Sequence, residues 1–419
     1  MSDMYTCSGD QTESPFMVRQ PIFTRDKSVW GYELVTSSLP AMVDGSQATC
    51  LADFVVTFRD SLAFMMGGLA EGQKLIVNID RDNLSCEEIG QADWADCIFN
   101  VCRDAIDDPQ CHEFVSFVNA AGGSISLESE SRSKLGQELM EKSDFIRLSL
   151  ADRTPREIMS IKRDFKDYSG QFLVGGVATW EDFEGTRALG FDYFQGPFFA
   201  LPESRGKGKL GVGATAKLQL MNVLNDPDCQ VDELTSIISK DVALSYNILQ
   251  YINSASFGLK QEISSIQQAV SLLGLKDVRH WAMVVIMKGL DATPKGEELN
   301  FIALQRARFL SQLAESTPGF SHEPNILFML GLFSKLDALL SCSMEVVLAE
   351  IPLNEGMKAG LCGQPNDFRD WVLLLNAIEI GNWGVANTIM GKHGVNFCEA
   401  AAHYMKASSW AAMVMPAVK

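Results

Sequence analysis

Hydrophobic and polar positions follow two different rhythms along this chain, and the change falls near residue 200. Before it, short apolar runs alternate with helix-like segments. Phe-Met-Val-Arg-Gln-Pro-Ile-Phe over 16–23 and Val-Trp-Gly-Tyr-Glu-Leu-Val over 29–35 predict two strands around a turn at Thr24-Arg25-Asp26-Lys27. Further strands are predicted over 74–79, 97–102, 124–127, 145–150, 171–177 and 191–194, with helices over 51–67, 112–121, 134–141, 155–166 and 180–189. Strands alternating with helices at this spacing predict βα units and a parallel sheet. Seven or eight strands within residues 16–203 predict a closed (β/α)8 barrel, whose chemistry would collect at the C-terminal ends of the strands.

The stretch 190–202 places five aromatics around the last predicted strand, and a Gly-, Ser-, Lys- and Arg-rich run follows it. From there the period is helical. Segments 217–224, 231–239, 242–254, 266–273, 275–290, 300–316, 326–340, 344–350, 368–380, 383–392 and 397–413 carry apolar residues at helical spacing. Breakers such as Asp226-Pro227, Gly258, Gly274, Pro318-Gly319 and Pro352 separate them. The expected organisation is a disordered tail over 1–15, a barrel over 16–203, a linker over 204–215 and an all-helical domain over 216–419.

Composition narrows the function classes. The 47% hydrophobic content of the 419 residues supports a large core, and the net charge of −18 argues against general nucleic-acid binding. The basic run Arg205-Gly206-Lys207-Gly208-Lys209 reads as solvated linker. No secretory signal and no membrane-length apolar run is present, so a cytoplasmic protein with reduced thiols is expected. Cys97, Cys102, Cys111 and His112 lie close in sequence but form no CxxC pair, and they read as core or boundary residues. The five histidines, His112, His280, His322, His393 and His403, are scattered without a metal spacing. No Walker loop, dinucleotide fingerprint or nucleophile elbow occurs.

Arg19-Gln20-Pro21-Ile22-Phe23, Gly31-Tyr32-Glu33-Leu34 and the stretch 190–202 resemble the first and last landmarks of an EAL domain. Asn225-Asp226-Pro227, Ser239-Lys240-Asp241 and Leu272-Leu273-Gly274-Leu275 make the helical half similar to an HDOD domain. The order of these motifs resembles that of two-domain bacterial signalling proteins. The EAL resemblance implies a (β/α)8 barrel in which active members use two divalent cations and an activated water to hydrolyse cyclic di-GMP. Hard cations need carboxylate oxygens, so the acids decide whether that chemistry survives.

Carried over position by position, the resemblance implies that Glu33, Asn78 and Gln195 are retained. Glu128 stands for the first of two paired aspartates and Arg147 for a lysine. The losses are a phosphate-binding arginine at Ser37, a glutamate at Asn100, the second aspartate at Ser129, and two glutamates at Gly175 and Ala178. In the helical half, the His-Asp pair of metal-dependent HD hydrolases falls on Ser334 and Lys335, whose ammonium would repel a cation. Such a loss is what defines HDOD domains.

The expected protein is therefore not an enzyme. It is a signal-transduction adaptor related to cyclic di-GMP signalling, with no cofactor, no bound metal, and signalling-protein partners at the HDOD domain. Glu33, Asn78 and Gln195 would organise the barrel mouth as buried hydrogen-bonding residues. The alternatives are a receptor that binds cyclic di-GMP without cleaving it and, third, a weak phosphodiesterase that would need Mg²⁺ or Mn²⁺. No nucleic acid and no membrane insertion is expected, and the oligomeric state is left open.

Overall fold

The structure, a computed structural model, describes residues 16–37, 72–81, 84, 94, 96–129, 138–151, 153–203, 212–225, 230–240, 245–246, 248–249, 252–253, 263–318, 320–351 and 353–415. Strands β1 (Met17–Thr24) and β2 (Val29–Thr36) form a hairpin whose turn carries Lys27 at a φ of 66°. The strands β3 (Lys74–Ile79), β4 (Cys97–Val101), β5 (Ser124–Glu128), β6 (Phe145–Ser149), β7 (Gln171–Gly175) and β8 (Tyr193–Gln195) follow in chain order around a closed barrel.

From β2 to β8 every pairing is parallel, as expected. The parallel expectation is corrected for β1, which runs antiparallel to both β2 and β8. The cause is the turn itself: a parallel pair needs a long crossover, and a tight hairpin can only reverse the chain.

Between the strands lie α1 (Arg103–Ile106), α2 (Cys111–Ala120), α3 (Pro155–Asp164) and α4 (Trp180–Ala188). The last two begin with capping boxes, Thr154 with Glu157 and Thr179 with Asp182, which satisfy the backbone donors of the first turn. The predicted helix over 51–67, the tail over 1–15 and most of the linker lie outside the described residues.

The period of two along each strand builds the barrel interior in layers. Ile22, Ile76, Ile98, Phe145 and Leu173 form a buried apolar cluster, with Trp30 and Tyr193 packed against it. Two residues further along the parallel strands come Asn78, Asn100, Arg147, Gly175 and Gln195. On the reversed β1 the same step runs backward, from Ile22 to Gln20. A polar layer thus sits above an apolar plug, on the C-terminal side of the parallel strands.

The aromatic stretch closes the barrel wall. Phe198, in a 3-10 turn spanning Pro197–Ala200, stacks on Phe183 at 4.8 Å and meets Phe23 edge-on at 5.5 Å. Gly196, at a φ of 147°, links β8 to that turn, and a Cβ there would stand 2.2 Å from the carbonyl oxygen of Val177.

The second part is helical: α5 (Val212–Asn225), α6 (Val231–Lys240), α7 (Ile266–Leu273), α8 (Leu275–Lys288), α9 (Pro294–Ser316), α10 (Pro324–Phe333), α11 (Leu336–Leu340), α12 (Met344–Ala349), α13 (Glu355–Leu361), α14 (Asp367–Glu379), α15 (Trp383–Lys392) and α16 (Phe397–Val414). Four points differ from the periodicity. Helix α5 begins inside the expected linker, where Ala214 and Ala216 favour helix against Gly213 and Thr215. Helix α9 starts six residues early, at Pro294, where Thr293 caps the Gly296 amide. Helix α13 was missed behind its two glycines. The helix expected over 326–340 is broken at Ser334 and Lys335.

By contacts the chain divides into two compact units, with a boundary between Phe199 and Ala200. No described helix is long and apolar enough to cross a membrane.

Two glycine substitutions test the barrel geometry with opposite signs. Gly196→Ala should destabilise the barrel by about 2–3 kcal/mol, through a forbidden φ and a clash with backbone. Gly185→Ala, on α4 with open space around the new Cβ, should stabilise it by about 0.5–1 kcal/mol. Urea denaturation followed by circular dichroism measures both.

Candidate functional site

At the barrel mouth, polar side chains from seven strands join in one hydrogen-bonded relay. Ser126 on β5 donates to Asn100 on β4 at 2.8 Å, and Asn100 donates to Asn78 on β3 at 2.8 Å. Asn78 donates to Glu33 Oε1 on β2 at 2.5 Å. Arg147 on β6 donates through Nη2 to Glu33 Oε2 at 2.8 Å and to Gln195 Oε1 at 2.7 Å. Gln195 on β8 donates through Nε2 to Glu33 Oε2, and to Gln20 Oε1 on β1 at 2.9 Å. The eighth strand contributes by omission: a Cβ at Gly175 on β7 would touch the Arg147 guanidinium at 3.5 Å, so a longer side chain would compete for that space.

Glu33 is the hub. Its side chain is 5% exposed and both oxygens are engaged. Burial pushes its carboxyl pKa up. The Arg147 charge and the hydrogen bonds from Arg147, Asn78 and Gln195 outweigh burial and hold it below the ordinary carboxylate value. Arg147 is held above its ordinary value against burial, first by Glu33 and then also by the nearby charge of Glu128. Its Nη1 is shielded from solvent and makes no hydrogen bond among the described residues.

The structure brings together Glu33, Asn78, Asn100, Arg147 and Gln195, and leaves Gly175 as a space beside them. Asn100 is fully buried and uses both ends of its amide, one donating and one accepting, which a glutamate could not do. Glu128 ends β5 opposite Arg147 in the register, and Ser129 is buried behind it with its amide bonded to the Arg147 carbonyl. Ser37 turns elsewhere: its hydroxyl accepts from the Phe16 amide and ties off the hairpin. Ala178 is exposed, beyond the end of β7. Sequence reasoning missed Gln20 and Ser126, although both occupy inward positions of the period-two pattern.

Among the described cysteines, Cys97, Cys102, Cys111, Cys342 and Cys362 form no disulfide. Burial, with Glu128 nearby, pushes the Cys102 thiol up to about 12, and burial pushes Cys111 up to about 11. Cys398 is disulfide-bonded, which corrects the expectation of reduced thiols; pairing depends on which sulfurs the fold brings together, and composition does not reveal it.

In the helical unit, Ser334 and Lys335 lie in the break between α10 and α11, both buried. The Ser334 hydroxyl donates to the Gly331 carbonyl at 2.6 Å and accepts from Arg306 Nη1 at 2.9 Å. Arg306, on α9 and 1% exposed, also donates through Nη2 to Asn376 at 2.7 Å. Asp337 is half-buried, and burial raises its pKa while its carboxylate accepts the Ala338 amide. Two cations, Arg306 and Lys335, therefore stand around the position of the absent His-Asp pair. Arg306 lies on a different helix from Ser334, and no local spacing in the sequence reveals it. The histidines show no metal spacing in the sequence, yet Asp367, Asp370 and His393 converge in the structure, from parts of the chain too far apart for a spacing to show.

The HDOD domain family matches residues 214–350, across the helices that carry this arrangement. This region is an HDOD domain. Arg306, Ser334 and Lys335 all lie within it. Over nearly its full length, the chain is 27% identical to the uncharacterized protein YuxH of Bacillus subtilis, covering 96% of this chain and 99% of that protein. It is 24% identical to the cyclic di-GMP phosphodiesterase CdgJ of Vibrio cholerae, covering 89% of this chain and 87% of that one. An EAL-domain protein structure from Listeria monocytogenes aligns with 46% of the chain and 94% of its own at 14% identity, with a TM-score of 0.30. The barrel upstream of the HDOD domain rests on its own strand pairing rather than on that alignment.

Arg147→Met should leave Glu33 buried without its counter-charge and cost about 3–5 kcal/mol at neutral pH. It should also reverse the pH dependence. In the native barrel the Glu33 pKa is lowered, so its contribution is present above the ordinary carboxylate range and is lost as pH falls through it. With the guanidinium gone, burial leaves that pKa raised, and the contribution is lost as pH rises. Denaturation midpoints of the two proteins between acid and neutral pH read the change of slope.

Proposed function

We propose that this chain is a non-catalytic component of cyclic di-GMP signalling, in which a degenerate EAL-type barrel is joined to an HDOD domain and acts through protein contacts. The observation that carries the reading is the ion pair between Arg147 and Glu33. A two-cation phosphodiesterase site needs several carboxylates with free oxygens around the metals. Here the hub carboxylate already has a guanidinium as its cation, and amide donors occupy its remaining positions. The residues do not fit Mg²⁺ or Mn²⁺. A metal would have to displace Arg147, whose own charge would then repel it at short range.

The HDOD domain supports the same reading. With Arg306 and Lys335 near Ser334, it lacks the ligands for metal-assisted hydrolysis. Its surfaces, rather than a reaction, are then what a signalling partner would recognise. The full-length similarity to the cyclic di-GMP phosphodiesterase CdgJ supports cyclic di-GMP as the ligand in the two alternatives, a receptor that binds without cleaving and a weak phosphodiesterase, and does not separate them.

Incubation of the full chain with cyclic di-GMP and Mg²⁺ or Mn²⁺, followed by chromatography of the nucleotide, should show no turnover. Turnover that disappears in Glu33→Ala would overturn the non-catalytic reading. Calorimetric titration in the same buffers separates the two non-catalytic forms: no heat supports the adaptor, and low-micromolar binding without cleavage supports the receptor.

A further inference from the structure

We propose that Asp367, Asp370 and His393, which lie outside the residues matched to the HDOD family, form with His322, which lies inside them, a binding site for one divalent transition-metal ion of the zinc class. Asp367 and Asp370 lie three residues apart in the first turn of α14, which puts both carboxylates on one helix face. His393 follows the last residue of α15 and faces them. One ligand atom from each of these three residues lies within 4.8 Å of the other two. His393 Nε2 stands 3.3 Å from Asp370 Oδ2.

His322, in the connection between α9 and α10, is the proposed fourth donor, beside the three residues whose ligand atoms already converge. Its ring lies against Phe368, the residue after Asp367, which brings it to the same end of α14. Its Nε2 is shielded from solvent and has no hydrogen-bond partner among the described residues, a costly state for an imidazole nitrogen that a metal ion would relieve.

The two imidazoles are held by packing. His322 stacks on Phe368 with ring centroids 4.4 Å apart, and His393 lies against Trp371 at 4.4 Å. Trp371 is itself stacked on Phe320. A first coordination sphere fixed by an aromatic shell in this way has its ligand directions set in advance. Two nitrogens with two carboxylate oxygens suit zinc or cobalt(II) in a tetrahedral site, whereas magnesium and calcium prefer all-oxygen donors.

Among the described residues, the competing cation is Lys392, whose Nζ is 2.5 Å from Asp370 Oδ2. Its side chain is 62% exposed, so the pair is worth little and the ammonium can swing into solvent. Lys392 would then act as a placeholder for the metal.

Cobalt(II) titrated into the full chain under reducing conditions tests this, because its visible bands report nitrogen–oxygen ligation and its near-ultraviolet charge-transfer band reports thiolates. One equivalent with visible bands and no thiolate band is expected. Asp370→Asn and His322→Gln should each weaken uptake by roughly tenfold or more. Lys392→Ala should tighten it, the opposite of what a purely structural ion pair predicts. His322→Gln removes no existing hydrogen bond at Nε2, so its unchanged helical circular dichroism keeps the result interpretable if Asp370→Asn unfolds. Absence of uptake, a thiolate spectrum, or uptake indifferent to both ligand substitutions would overturn the proposal.

Discussion

The ion pair of Arg147 with Glu33 is the constraint around which the barrel mouth is arranged. Two charges have been taken out of water near the end of a closed barrel, and each would be costly alone. Their stability depends on every remaining position being filled. Asn78 and Gln195 hold the two Glu33 oxygens, Gln195 also spans to Gln20, and Asn100 and Ser126 extend the relay away from the charge. Because each partner sits on a different strand, the network fixes the strands to one another as well as the charges. A register slip of one residue would turn its side chain out of the barrel and leave a buried charge short of a donor.

That arrangement explains what the sequence revealed and what it did not. The alternation of apolar and polar positions located the eight strands, and the pairing of Glu33 with Asn78 and Gln195 emerged from strand ends that a barrel must bring together. The substituted positions were harder to interpret. Asn100 looked like a lost acid, yet it is a neutral relay that both donates and accepts. Gly175 looked like a second loss, yet its missing side chain is the room in which the guanidinium lies. Ser37 looked like part of the mouth and instead closes the hairpin. Residue identity showed which side chains differ from the EAL pattern, while only geometry revealed what those side chains do. The reversed β1 has a similar lesson: its turn was visible, and the antiparallel pairing that a short turn enforces was the consequence left undrawn.

The helical unit repeats the substitution in another fold. Periodicity predicted one helix across the position of the absent metal pair, but the chain breaks there. Ser334 bonds its own helix at Gly331 and accepts from Arg306, so its side chain competes with the continuing backbone ladder. Gly331 allows the approach, since a Cβ there would lie 2.5 Å from the Ala307 amide of α9. Arg306 is fully buried and forked between Ser334 and Asn376, which suits a planar guanidinium and would not suit an ammonium. Nothing in the local sequence around Ser334 announces this, because the partner helix supplies the charge.

A guanidinium in such a place also resists reversal. Restoring a single acid at Gly175 or Ser129 would put a carboxylate beside Arg147, and the nearest cation would be the arginine rather than a metal. The new charge would enlarge the ion network and tighten it. Removing Arg147 first would strand Glu33 in a buried layer with only amide donors around it, which raises its pKa and favours the neutral acid, a poor ligand for a hard cation. Each single step therefore leads away from metal binding: one path lacks a free carboxylate, and the other lacks an ionised one. On the proposed non-catalytic reading, two-cation chemistry would require the arginine to leave and several acids to enter together, and the barrel mouth is then a settled alternative structure rather than an active site missing one part.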